Sequence, residues 1–205
     1  LPLVAFGAPV LTGTPEPAAR GAPDADGILG EGQLADVEKL RALPDLPGAR
    51  AELMALGRIY PKGVVRIGAA ATETAVRKTD TDLLSEARFD GYLTASEAAG
   101  LRLNADFVVL SACNTAASDG RPGGEGLSGL ARAFFYAGAR SILVSHWEVS
   151  DQATTALITG TFAGLDRTPG NRAVALQGAM REVRADRRWQ HPAYWAAFTL
   201  VGTPS

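Results

Sequence analysis

"DFVVLSACNTAASDGRPGGEGLSGLARAFFYAGARSILVSHW" (residues 106–147) carries the reading of the fold. It opens on "DFVVLSA" (106–112), an apolar, β-branched run of the kind that forms a fully buried strand. A turn of small residues follows, holding Cys113, the single cysteine of the chain. "GEGLSGLARAFFYAG" (124–138) then puts Leu127, Leu130, Ala131, Phe134 and Ala137 on one helical face, and Gly138 is a natural stop. "ARSILVSHW" (139–147) is a second strand. A short buried strand, a helix and another strand make a parallel pair joined by a crossover.

The same alternation extends outward. "PLVAFG" (2–7) and "GVVRIG" (63–68) read as strands, and "YWAAFTLVG" (194–202) as a final one. Helices are expected over 33–46, where Pro44 stops a Leu34, Val37, Leu40, Leu43 rhythm, and over 47–60, with Leu53, Leu56 and Ile59 as the buried stripe. Further helices are expected over 71–76 with Thr72 as cap, from Thr94 with Glu97 completing a capping box, over 150–165 capped by Ser150 or Asp151, and over 171–186. Residues 8–33, rich in Pro, Gly, Ala and Asp without any period, read as a loop or partly disordered insert. Alternating short strands and helices predict an α/β chain with a mostly parallel sheet covered on both faces. One stretch breaks the rule. Residues 77–106 hold no β-branched apolar run, although the alternation calls for a strand after the helix at 71–76.

A chain of 205 residues supports one good core, and residues 1–205 are read as a single domain. The formal charge of −2 gives no electrostatic case for nucleic acid or an anionic membrane. No apolar run is long enough to span a bilayer. A single cysteine predicts a reducing, cytoplasmic setting. The missing initiator Met predicts a piece of a longer protein whose N-terminal part lies elsewhere. No phosphate-loop or dinucleotide glycine pattern follows a strand, and no His, Cys or carboxylate cluster suggests a metal, so no cofactor is expected.

In open parallel sheets, ligands bind beyond the carboxyl ends of the strands. Cys113 falls there, beside Asn114, Thr115, Ala116 and Ala117, which are small enough for a substrate backbone to approach. A turn of this kind also offers backbone N–H groups to a developing oxyanion. The same residue suits a packed small side chain, since free cysteines are among the most buried residues. A thiol nucleophile needs a base. Of the two histidines, His146 ends the strand after the one that leads to Cys113, whereas His191, in "RRWQHPAYW", suits a packing or turn role. Asp151, in "HWEVSD", sits at the mouth of the same sheet edge, where a carboxylate either receives a basic substrate side chain or caps a helix. Glu125 suits orientation of the helix over 124–138 through its dipole.

The stretch from "NADFVVLSACNTAASDG" to "ALITGTF" strongly resembles the CHAT domain, the caspase-like domain often attached to tetratricopeptide arrays. "LTASEAAGLRLNAD" resembles the family's lead-in to the cysteine strand, "HPAYWAAFTLVG" its ending, and "GVVRIGAAATETAV" the strand and helix before its histidine segment. The resemblance implies a caspase-like three-layer α/β/α sandwich and a kinship with caspases, gingipains and separase. It implies that Cys113 is a peptidase nucleophile acting on a protein or peptide substrate. The Cys113 N–H would be one oxyanion donor, and the Gly after the family's histidine the other. Asp151, in "WEVSD", resembles the acidic residue that selects Arg before the scissile bond. A tetratricopeptide or other regulatory region is the expected N-terminal partner.

The family's "ATHG"-type segment, due between about Val76 and Leu84, is absent, at the place where the alternation rule lacks a strand. The favoured expectation is that the dyad histidine lies outside these 205 residues, with "RKTDTD" (77–82) joining stretches not adjacent in the protein. Loss of an interior strand from a parallel sheet exposes a large apolar area at roughly 25 cal/mol per Å², which disfavours a clean natural deletion. The alternatives are an inactive domain serving as an interaction or signalling module, or His146 as a substitute base. A flavodoxin-like nucleotide-binding domain is a distant third.

Overall fold

A computed structural model describes residues 3–7, 42, 47–77, 95–110, 129–147 and 149–204. Strand β1 is Val4–Gly7. Helix α1, Pro47–Ile59, follows, then β2, Val64–Ile67, a 3-10 turn at Gly68–Ala70, and α2, Glu73–Arg77. Next come α3, Ala95–Ala99, β3, Val108–Val109, and α4, Gly129–Tyr136. Strand β4, Ser141–Ser145, leads into α5, Asp151–Arg167, and α6, Arg172–Ala185. A 3-10 turn at Pro192–Tyr194 precedes β5, Phe198–Gly202.

The described strands form two sheets, β1-β2 and β3-β4-β5. β1 runs parallel to β2 and β3 parallel to β4, whereas β5 returns antiparallel to β4 on the sheet edge. Both parallel pairs agree with the expectation of a mostly parallel sheet. The long helical hairpin of α5 and α6 brings the chain back to the start of β5 in the opposite sense. The prediction of a mixed α/β chain therefore holds, with an antiparallel edge strand that alternation alone does not reveal.

β4 is the centre of the larger sheet, and all five of its residues are buried. Its alternation sorts two apolar clusters. Leu143 packs with Leu157, Ile158, Leu176, Val183 and Phe198, under α5 and α6. Ile142 and Val144 pack with Ala131 and Ala139, under α4. Helices thus cover both faces of this sheet. β3 differs from the expectation: Phe107 to Leu110 are half-buried rather than fully buried, and only Val108 and Val109 pair in register, with Ile142 and Leu143. Among the described strands β3 pairs with β4.

Local signals behave as their chemistry dictates. The Thr72 hydroxyl accepts from the Ala75 N–H at 3.1 Å, so it caps α2. Asn171 accepts from the Val174 N–H at 3.0 Å and caps α6. Gly138, at φ +96°, ends α4: its N–H bonds the Phe135 carbonyl and the Ala139 N–H bonds the Phe134 carbonyl, a Schellman closure. The insert at 8–33, the helix expected over 33–46 apart from residue 42, Thr94, Glu125, Leu127 and the 78–94 segment with its expected strand fall outside the described residues.

Helices α1 and α5 lie side by side. The Tyr60 hydroxyl, just past α1, donates to the Phe162 carbonyl at 3.3 Å, and the two rings meet edge to face at 5.8 Å. At the other end Gly48 lies against Asp151. The helices therefore run in the same direction with their N-termini together. This pairing places the candidate site.

Candidate active site

The apolar run of β4 stops at Ser145, and the chain turns polar at the sheet rim with His146 and Trp147. Because β3 and β4 are parallel, with Val109 opposite Leu143, the chain leaves β3 toward the same rim. Cys113 follows three residues after Leu110 in the sequence and falls outside the described residues.

His146 faces β5 rather than β3. Its backbone N–H bonds the Ala197 carbonyl at 2.9 Å, and its Nε2 lies 3.0 Å from the Thr199 hydroxyl. Its ring tilts against Trp147 at 6.5 Å between centroids, and the Trp147 indole N–H donates to the Ala193 carbonyl at 3.0 Å. The imidazole is exposed and held by one side-chain bond. His191 has a turn role: its Nδ1 accepts from the Ala193 N–H at 3.2 Å and closes the 3-10 turn before β5.

Asp151 is the first residue of α5. Of the two expected caps, Ser150 occupies the cap position, without a side-chain capping bond, and Asp151 falls in the first turn. The extended backbone of Ser150, with φ −52° and ψ 131°, simply delivers Asp151 into the first turn. The carboxylate instead lies over the first turn of α1. A Cβ added to Gly48 would overlap the Asp151 Cβ and Cγ. Two helix N-termini meet here, and each favours a nearby negative charge through its unpaired N–H groups and dipole. Among the described residues no salt bridge ties the Asp151 carboxylate.

A cavity of about 530 Å³ opens beside it, lined by Gly48, Ala51, Asp151, Gln152, Thr155 and Ala156. One carboxylate, two short polar side chains and small apolar side chains suit an aliphatic stem with a cationic head. Sequence reading names Asp151 and misses the other five. No spacing rule joins residue 48 to residue 151. The one local hint was a glycine in the first turn of a helix, where nothing in the backbone demands it. Among the described residues no group of three His, Cys, Asp or Glu is placed to hold a metal, and no helix is long and apolar enough to cross a membrane.

The CHAT domain family model matches residues 81–203. Tetratricopeptide repeat protein 28 of Mus musculus is 38% identical over 112 residues, 54% of this chain and 4% of that protein. Tetratricopeptide repeat protein 28 of Homo sapiens is 35% identical over 112 residues, again 54% of this chain and 4% of that protein. The chain thus corresponds to a small part of the relatives it matches. No solved structure matches the chain.

Proposed function

The chain belongs to the CHAT domain family, and from that membership we propose that it is a caspase-like cysteine endopeptidase domain that cleaves after a basic residue, Arg in particular. In this reading residues 1–205 form one caspase-like sandwich, the C-terminal part of a longer cytoplasmic protein with a tetratricopeptide or other regulatory region. The Cys113 thiolate attacks the scissile carbonyl carbon, with the Cys113 N–H as an oxyanion donor. The C–N bond breaks, a histidine from outside these 205 residues passes the thiol proton to the leaving amine, and water hydrolyses the thioester. Asp151 pairs with the guanidinium. The observation that carries the reading is the Asp151 carboxylate, without a salt bridge among the described residues, at the edge of a cavity lined by small side chains.

Cleavage of Arg-ended fluorogenic peptides tests it. Turnover that disappears in Cys113→Ala supports the mechanism, and turnover that persists removes Cys113 from it. An Arg preference unchanged in Asp151→Ala removes Asp151 from specificity.

The second reading is an inactive CHAT domain acting as an interaction module, in which no histidine serves Cys113. Within this chain the His146 Nε2 meets the Thr199 hydroxyl and His191 closes a turn. Binding of an Arg-containing peptide without cleavage, unchanged in Cys113→Ala, selects this reading over the first.

A further inference from the structure

Gly48 is unusual for its position. Its φ lies outside the left-handed region, so its backbone does not require glycine. Glycine is a poor helix former, and alanine in the same turn favours the helix. What forbids a side chain here is Asp151, whose Cβ, Cγ and Oδ2 occupy the space a Cβ would take. One turn further along α1, Ala51 lines the same cavity as Ala156 of α5, and both are small. Neither Gly48 nor Ala51 lies within residues 81–203, the span of the family match.

We propose that Gly48 and Ala51 are specificity-determining residues: Gly48 makes the room that seats the Asp151 carboxylate, and Ala51 makes the room for the stem of a basic side chain. The inference rests on the reading of Asp151 as the acceptor of that side chain. Gly48 is a positioning residue, acting through Asp151. Ala51 acts by leaving the cavity open. The basic-residue pocket is thus shared between α5, inside the family match, and α1, outside it.

The test compares a fluorescein-labelled peptide containing one Arg with its citrulline counterpart, which keeps the shape and loses the charge. Binding of both is measured to the 205-residue chain and to Asp151→Asn, Gly48→Ala and Ala51→Leu. Circular dichroism and melting temperature are followed in parallel. The wild-type chain is expected to favour the Arg peptide roughly fivefold or more. Asp151→Asn and Gly48→Ala lose that ratio, and Ala51→Leu weakens both peptides, because it fills the cavity without touching the charge. Loss in Asp151→Asn with retention in Gly48→Ala overturns the role of Gly48 and leaves Asp151 standing. Retention in Asp151→Asn, or no preference in the wild-type chain, overturns the acceptor reading itself. If Gly48→Ala melts before it can be assayed, Ala51→Leu decides: unchanged binding of the Arg peptide overturns the shared pocket.

Discussion

At Asp186 a single residue sets a measurable titration. It follows α6, and Arg188 reaches back to it. The Arg188 backbone N–H donates to Oδ1 at 2.9 Å, and its guanidinium donates to Oδ2 at 2.8 Å. Those side-chain bonds first, the backbone bond next, hold the carboxyl at about 2, against an ordinary 3.8. A lowered native value means the ionised form favours folding. The contribution is complete above the unfolded value and is lost as pH falls through the native one. Carbon-13 titration of the Asp186 carboxyl is expected to give a value near 2, returning toward the ordinary range in Arg188→Ala. One other residue carries a functional prediction. His146→Ala removes the Thr199 bond yet leaves any peptidase turnover in place, because its Nε2 is turned to β5. A loss of turnover there with the fold intact makes His146 the base after all. Cys113 is an expectation drawn from its position past an apolar run, and it lies outside the described residues.

Helix pairing is where sequence reading stops short. The α5 and α6 segments are both visible as helices, but their crossing is decided by residues with no periodic signal. Gly164 sits so close to α6 that an added Cβ would come within 3.1 Å of the Ala175 Cα. Gly160 similarly meets the Ala179 Cβ at 3.2 Å. Gly178, in the middle of α6, meets nothing within 4 Å. Gly164→Ala is therefore expected to destabilise by about 1–3 kcal/mol through overpacking, whereas Gly178→Ala stabilises by about 0.5–1 kcal/mol by restricting the unfolded chain. Urea denaturation of the two variants checks the pair, and effects of the same sign contradict the assigned crossing. The strands teach a related lesson. "SILVS" was legible as a strand, and it is buried because its side chains serve both faces of the sheet. The antiparallel sense of β5 was not, since direction depends on how far α5 and α6 carry the chain, not on the composition of "FTLVG". Asp151 was legible as a carboxylate at a sheet rim. Its true neighbour, Gly48, was not, because residues 103 positions apart meet only through the packing of α1 on α5.

Across the whole molecule, the described sheets split between β1-β2 and β3-β4-β5. The first carries α1 to the core and the second carries α5, so the candidate pocket is a product of how the two halves pack. Leu3 beside β1 and Phe107 and Val109 at β3 pack on the same apolar cluster as Leu56 and Leu157. That shared cluster holds α1 against α5 and keeps the walls of the cavity together. Leu157 is fully buried within it, and Leu157→Ala is expected to cost about 2–5 kcal/mol and to loosen the Arg preference along with the fold. The most direct test of the account is intact-mass analysis of the longer protein that carries the histidine, after incubation with an Arg-ended peptidyl acyloxymethyl ketone, whose carboxylate leaves as a thioether forms. The account predicts one adduct on Cys113, absent in Cys113→Ala and strongly reduced for the citrulline-ended reagent and in Asp151→Asn. Equal labelling by the Arg and citrulline reagents, or no adduct on Cys113, would contradict it.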